Sequence, residues 1–224
     1  MTGSCKLSTT QILSAILVII IIGTLTAYAY TNANDALKDS VKGGMKSTVG
    51  VMATQINASD ITGFKPGDET SPSYITVTRD MRAMRSMDDH ILNAYILRVN
   101  QDKTITFLVD DLSQYDPQGS AKIGEVSTSP DKLEIFSALS GPTASKEPYT
   151  TKYGSFISAY APIDDSSSGS TGNTYAVLAI DMSADDYNQN TSKGMLIILT
   201  GIVSIIIAVG AIFWFGRRAE KKAE

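Results

Sequence analysis

Residues 91–109 read ILNAYILRV, NQDK and TITFLV in succession (Ile91 to Val99, Asn100 to Lys103, Thr104 to Val109), and this stretch decides the fold. Apolar, aromatic and β-branched side chains recur with a period of two on either side of a four-residue polar break, which is the pattern of a β-hairpin. The same period returns at 154–163 (GSFISAYAPI) and 174–182 (TYAVLAIDM), joined by the Ser/Gly-rich linker 164–173. Two hairpins predict one antiparallel sheet.

Toward the N-terminus the period becomes helical. Residues 73–89 place Met81, Met84 and Met87 on one side, with Arg79, Arg82 and Arg85 rotated away from them. Gly63, Pro66, Gly67 and Pro72 mark 61–72 as a loop. Before it, Leu37, Val41, Met45, Val49, Met52 and Ile56 recur every three or four residues. That stripe predicts a stalk helix over about 32–57, weakened in the middle by Gly43 and Gly44. Its near-heptad end, Met45 to Ile56, is either the face docked on the sheet or the seam of a parallel homodimer. Toward the C-terminus, 110–129 reads as a polar loop and 130–139 as a short helix with Leu133, Phe136 and Leu139 turned inward, closed by Gly141 and Pro142. Ser183 then caps a helix whose first turn holds Asp185 and Asp186. The fold class is α+β, an antiparallel sheet with helices packed on one face.

This domain lies between two apolar runs. Leu7 to Asn34 and Gly194 to Gly216 contain no charged residue. The runs at their centres, 12–30 and 195–215, reach about 28 Å or more at 1.5 Å per residue, close to the thickness of a bilayer's hydrocarbon. Phe213, Trp214 and Phe215 end the second run, and Arg217, Arg218, Lys221 and Lys222 follow Gly216. Aromatic residues followed by a basic cluster mark a cytoplasmic membrane boundary. Between the runs, 31–193 carries 14 Lys/Arg against 21 Asp/Glu. Two transmembrane helices in the plasma membrane are therefore expected, with 1–11 and the basic tail 216–224 cytoplasmic and 31–193 extracellular. Ala27-Tyr28-Ala29 keeps a second reading open, in which the first run is a cleaved signal peptide.

The catalytic and metal-binding inventory is thin. Among 224 residues there is one cysteine, Cys5, and one histidine, His90. One chain can form neither an intramolecular disulfide nor a Cys/His zinc site, and Cys5 reads as an inert thiol. Asp110-Asp111, Asp116 and Asp164-Asp165 lack the alternating spacing of a calcium loop, so no metal or cofactor is expected. No nucleophile, base and orienting group can be drawn together, so the chain is not expected to be an enzyme. An acidic balance without a basic face excludes nucleic acid as a partner. Asn57-Ala-Ser59 and Asn190-Thr-Ser192 are acceptor sequons for glycosylation on the outer side.

Several local patterns follow one another in a recognisable order. They are Asn93-Ala-Tyr95-Ile-Leu-Arg98 with Thr106-Phe-Leu-Val-Asp110; Lys122-Ile-Gly-Glu125-Val before Ser140-Gly141-Pro142; Glu147-Pro148-Tyr149; Gly154-Ser-Phe-Ile-Ser158-Ala-Tyr160-Ala-Pro162-Ile; and Val177-Leu-Ala-Ile-Asp181-Met182. Over about 32–190 this order resembles the extracellular Cache (PAS-like) sensor domains of prokaryotic histidine kinases and chemoreceptors. The resemblance implies a PAS-like sheet, a small ligand held between the sheet and the central loops, and Asp181 facing that ligand. Asp110, Tyr95, Tyr149, Tyr160, Ser158 and Arg98 join it as candidates. A carboxylate suits an ammonium, and tyrosine hydroxyls or an arginine suit a carboxylate. Structural roles stay open for each: Asp110 as a turn cap, Asp181 paired with Arg98, the tyrosines as core.

The function expected is a membrane-anchored sensor for an amine, an amino acid or a short carboxylate. Its signal would pass through the transmembrane helices to a separate signalling partner, because the eight residues after Gly216 are too few to fold into an output module. The alternative is a non-sensing structural or assembly protein of the cell envelope that uses the fold as a scaffold.

Overall fold

The computed structural model describes residues 8–164, 174–191 and 195–223. The chain divides into two compact units, Met1–Lys38 with Thr191–Glu224, and Asp39–Asn190. Helix α1 (Thr9–Ala53) contributes residues to both.

In the Asp39–Asn190 unit, α1 ends at Ala53 because a new helix starts at Asn57. Asn57 Oδ1 accepts from Ser59 N at 3.2 Å and caps α2 (Ala58–Ile61). Ser71 Oγ accepts from Tyr74 N at 3.3 Å and Pro72 opens α3 (Pro72–Arg85), whose first turn needs no N–H there. The hairpin follows as β1 (Ile91–Val99) and β2 (Ile105–Asp110). At its turn Asp102 Oδ1 accepts from Thr104 N at 2.9 Å while Lys103 takes a φ of 65°. Next come α4 (Lys132–Ser137), β3 (Thr143–Ala144), β4 (Tyr149–Thr151), β5 (Gly154–Asp164), β6 (Thr174–Ser183) and α5 (Ala184–Thr191). Ser183 caps α5 as the sequence predicts, its Oγ accepting from Asp185 N and Asp186 N at 3.1 and 3.4 Å.

The sheet is antiparallel throughout, in the order β2-β1-β6-β5-β3, with β4 also pairing β5. Alternation sends Ala94, Ile96, Leu178 and Ile180 to one face, where they meet Met45, Val49 and Met52 of α1 and Tyr74 and Met81 of α3. Of the two readings of the stalk stripe, the structure therefore takes the docked face: Val49 is fully buried in its own domain. Tyr95, Leu97, Val177 and Ala179 go to the other face and meet Ala121, Ile135 and Ala138.

The expectation of helices on one face is thus corrected, because α4 covers the second. It begins at Lys132 and turns Ile135 inward, with Ala138 buried just past its end, and leaves Leu133 70 % exposed rather than buried. Met87 lies beyond the end of α3 and is also exposed. Strands β3 and β4, two and three residues long, are too short to show a period in the sequence.

In the other unit, α6 (Met195–Ala223) and the first part of α1 carry the two apolar runs. Both stretches are long and apolar enough to cross a membrane. Leu13, Leu25 and Leu196 are each more than 60 % exposed, an outward apolar surface suited to lipid rather than water. Cys5, the linker after Asp164 and Ser192 of the second sequon lie outside the described residues.

Candidate ligand-binding site

Two neighbouring rows of the sheet form the floor of a cavity of about 520 Å³ on the α4 face. In the first row Asn93 stands opposite Asp181, and Asp181 opposite Ser158. The second row, two residues away, reads Asp110, Tyr95, Ala179, Tyr160 across four strands. Only the methyl group of Ala179 separates the two tyrosines.

Asp181 is the centre of the hydrogen bonding. Its Oδ1 accepts from Ser158 Oγ at 2.5 Å and from Tyr95 OH at 3.0 Å, while Oδ2, among the described residues, has only a long 3.5 Å contact from Asn93 Nδ2. Ser158 spends its single hydroxyl proton on Asp181, so the 2.6 Å bond between Ser158 and Tyr149 carries the tyrosine's proton. Tyr149 OH lies 3.3 Å from Tyr160 OH, which donates to Asp131 Oδ2 at 3.0 Å. Asp131 also accepts from Ser145 Oγ. A run of hydroxyls therefore joins two buried carboxylates.

Burial pushes the Asp181 carboxyl up to about 7, against the bonds from Ser158, Tyr95 and Asn93 that favour its charged form. Burial likewise raises Asp110 to about 6, opposed by the N–H groups of Ala121 and Leu112, which donate to it at 2.8 and 2.9 Å. Asp110 thus caps the loop after β2 and lines the cavity as well. Among the described residues no ion pair reaches either carboxylate. The mouth is more polar: Glu125 Oε1 takes Tyr153 OH at 2.5 Å and Lys152 Nζ at 2.9 Å. Phe107 stands between Tyr95 and Tyr153 at 5.3 and 6.1 Å between ring centroids, an aromatic wall.

Of the residues singled out in the sequence, Tyr95, Asp110, Tyr149 and Asp181 line the cavity. Ser158 and Tyr160 stand one bond behind them. Arg98 does not join the group. It pairs with Ala176 on the helix-packed face and donates to Thr62 O at 3.3 Å, so it sits across the sheet from Asp181. Sequence reasoning missed Asn93, Ser120 and Asp131. Asn93 could have been found, since it precedes Tyr95 by one strand period; Asp131, following Pro130, carries only the signal of a helix start.

Comparison with protein-family models and with curated proteins gives no match. Among solved structures, the chain is similar to the periplasmic domain of RsbU from Chlamydia trachomatis, at 12 % sequence identity and a TM-score of 0.40. The match covers 77 % of this chain and 58 % of that one, so this chain spans less than two thirds of its length.

Proposed function

We propose that this protein is a membrane-anchored sensor of Cache type, whose outer domain binds a small organic ligand bearing an ammonium group at Asp181. The supporting observation is a buried carboxylate on the floor of a 520 Å³ cavity that meets hydroxyls but, among the described residues, no cation. A buried charge without a counter-charge is costly, and a ligand ammonium would supply one. The outer domain faces away from the cytoplasm in this reading, with both termini inside, and a separate partner receives the signal. Because α1 carries residues of both units, a shift of the sheet against Met45, Val49 and Met52 would act on the helix that also holds the first apolar run.

The test is thermal unfolding of the full chain in nanodiscs against a library of amines, amino acids and short carboxylates. A ligand at 100 times its dissociation constant adds about 2.7 kcal/mol of stability, and Asp181→Asn should remove the shift. A flat response to every ammonium compound would overturn the reading.

A further inference from the structure

We infer that the cavity is built for a diammonium ligand, an α,ω-diaminoalkane, with one ammonium at Asp181 and the other at Asp110 and Ser120. The inference rests on the reading above that Asp181 anchors an ammonium, and it adds the second pole. Asp110 ends β2 and Asp181 lies on β6, with β1 between them. Two strand spacings across and two residues along put their Cα atoms roughly 12 Å apart, on the same face. Each lines the cavity, each is at least nine-tenths buried, and among the described residues neither has an ion-pair partner.

Ser120 marks the second pole independently of charge. It is 4 % exposed, it lines the same cavity, and its Oγ has no hydrogen-bond partner among the described residues. A buried hydroxyl left without a partner is destabilising unless something else fills that role. Its chain neighbour Ala121 donates to Asp110 Oδ2 at 2.8 Å, so the serine stands at the Asp110 end.

The remaining charges on the wall are already in use. Glu125 holds Lys152 and Tyr153, Asp116 Oδ1 accepts from Gly119 N at 3.0 Å, and Lys122 Nζ donates to Pro117 O at 2.6 Å. A ligand carboxylate would have to draw a lysine away from its acceptor, whereas a second ammonium meets a buried carboxylate that, among the described residues, has no ion-pair partner and feels the positive charge of Lys122 only from beyond ion-pair distance. Tyr95, on the strand between the two poles, and the cavity-lining Phe107 and Phe156 offer rings to an alkyl stem and to cations at its ends.

The experiment is calorimetric titration of the full chain in phosphatidylcholine nanodiscs, with empty nanodiscs subtracted. The probes are diaminoalkanes of four to six carbons, 1-aminobutane and 4-aminobutanoate. At least one diamine should bind about tenfold or more tighter than 1-aminobutane, with 4-aminobutanoate weakest. Asp110→Asn and Ser120→Ala should each bring the ratio of diamine to monoamine affinity toward one. If Asp110→Asn fails to fold without its loop cap, Ser120→Ala alone decides. Equal affinities for monoamine and diamines, or tightest binding of 4-aminobutanoate, would overturn the diammonium inference and leave Asp181 as an ammonium anchor. No binding by any amine would bring down both.

Discussion

Ser158 and Asp181 face each other across β5 and β6, and the serine hydroxyl donates to the aspartate Oδ1 at 2.5 Å. The bond favours a charged carboxylate, yet burial outweighs it and holds the group near 7, against 3.8 for the free side chain. The native state therefore binds this proton more tightly than the unfolded chain. Its contribution to stability is full below about pH 4 and is lost as pH rises through 7. Asp181→Asn keeps the size and removes the titration. Unfolding from pH 5 to 8.5 should show the wild type losing stability relative to the variant, by up to a few kcal/mol at the alkaline end. A gap independent of pH would show that Asp181 stays ionised when folded.

The same titration has the opposite sign for ligand binding. An ammonium needs the carboxylate, so binding must release the proton that Asp181 holds below 7. Amine affinity should rise with pH up to about 7 and fall by up to about tenfold per unit below it. Calorimetry in two buffers of different ionisation enthalpy would count the released protons at pH 6. Zero release, with binding intact, would rule out Asp181 as the anchor.

How much of this was legible in the sequence depended on how local each signal was. The strand residues Tyr95 and Asp181 announce themselves by period two, and Ser183 by its place before an acidic turn, so these elements and most of the cavity floor could be read. Arg98 was misplaced even though the strand period separates it from the cavity: three residues from Tyr95 on β1, it has to point to the other face of the sheet. Leu133 was read inward because a six-residue helix has too few turns to fix its phase. Asp131 gave no signal of a site beyond that of a helix start, since its burial depends on Ser145 and Tyr160, which the fold brings from 14 and 29 residues away.

Arg85 and Asp111 form a buried pair on the helix-packed side. Arg85 Nε donates to Asp111 Oδ2 at 2.6 Å, Ala94 N donates to Oδ1 at 3.1 Å, and the aspartate side chain is wholly buried. Removing one partner of such a pair costs more than removing both, because a lone charge remains inside. Arg85→Met should cost about 3–5 kcal/mol in chemical unfolding. Adding Asp111→Asn, which still offers Ala94 an oxygen, should restore part of that loss. A loss under about 1 kcal/mol for the single variant would mean that water reaches the pair.

Val49 and Val51 separate the two faces of α1. Val49 is fully buried against the sheet and Val51 is 66 % exposed. Val49→Ala should cost about 1–3 kcal/mol through the cavity it leaves, and Val51→Ala should stay within about 0.5 kcal/mol. In a Cys5→Ser background, Val51→Cys should react with a maleimide in the native protein and Val49→Cys only after unfolding. Fast labelling at 49 would detach this stretch of helix from the sheet.

Thr26 of α1 stands so close to Gly201 of α6 that a Cβ at position 201 would overlap the threonine's Cβ, Oγ1 and Cγ2. Between apolar helices in lipid, where hydrophobic burial supplies no drive, such small-residue contact lets backbones approach and gain dispersion. Gly201→Leu should therefore force the pair apart. Gly210→Leu, on the same helix with nothing within 4 Å of the new Cβ, should not. Spin labels at the exposed positions Leu25 and Ile202, again in the Cys5→Ser background, would report the separation. The distance distribution should lengthen and broaden in Gly201→Leu and stay as in wild type in Gly210→Leu. The same distribution in both variants would mean that the two helices do not pair through Gly201 in a bilayer.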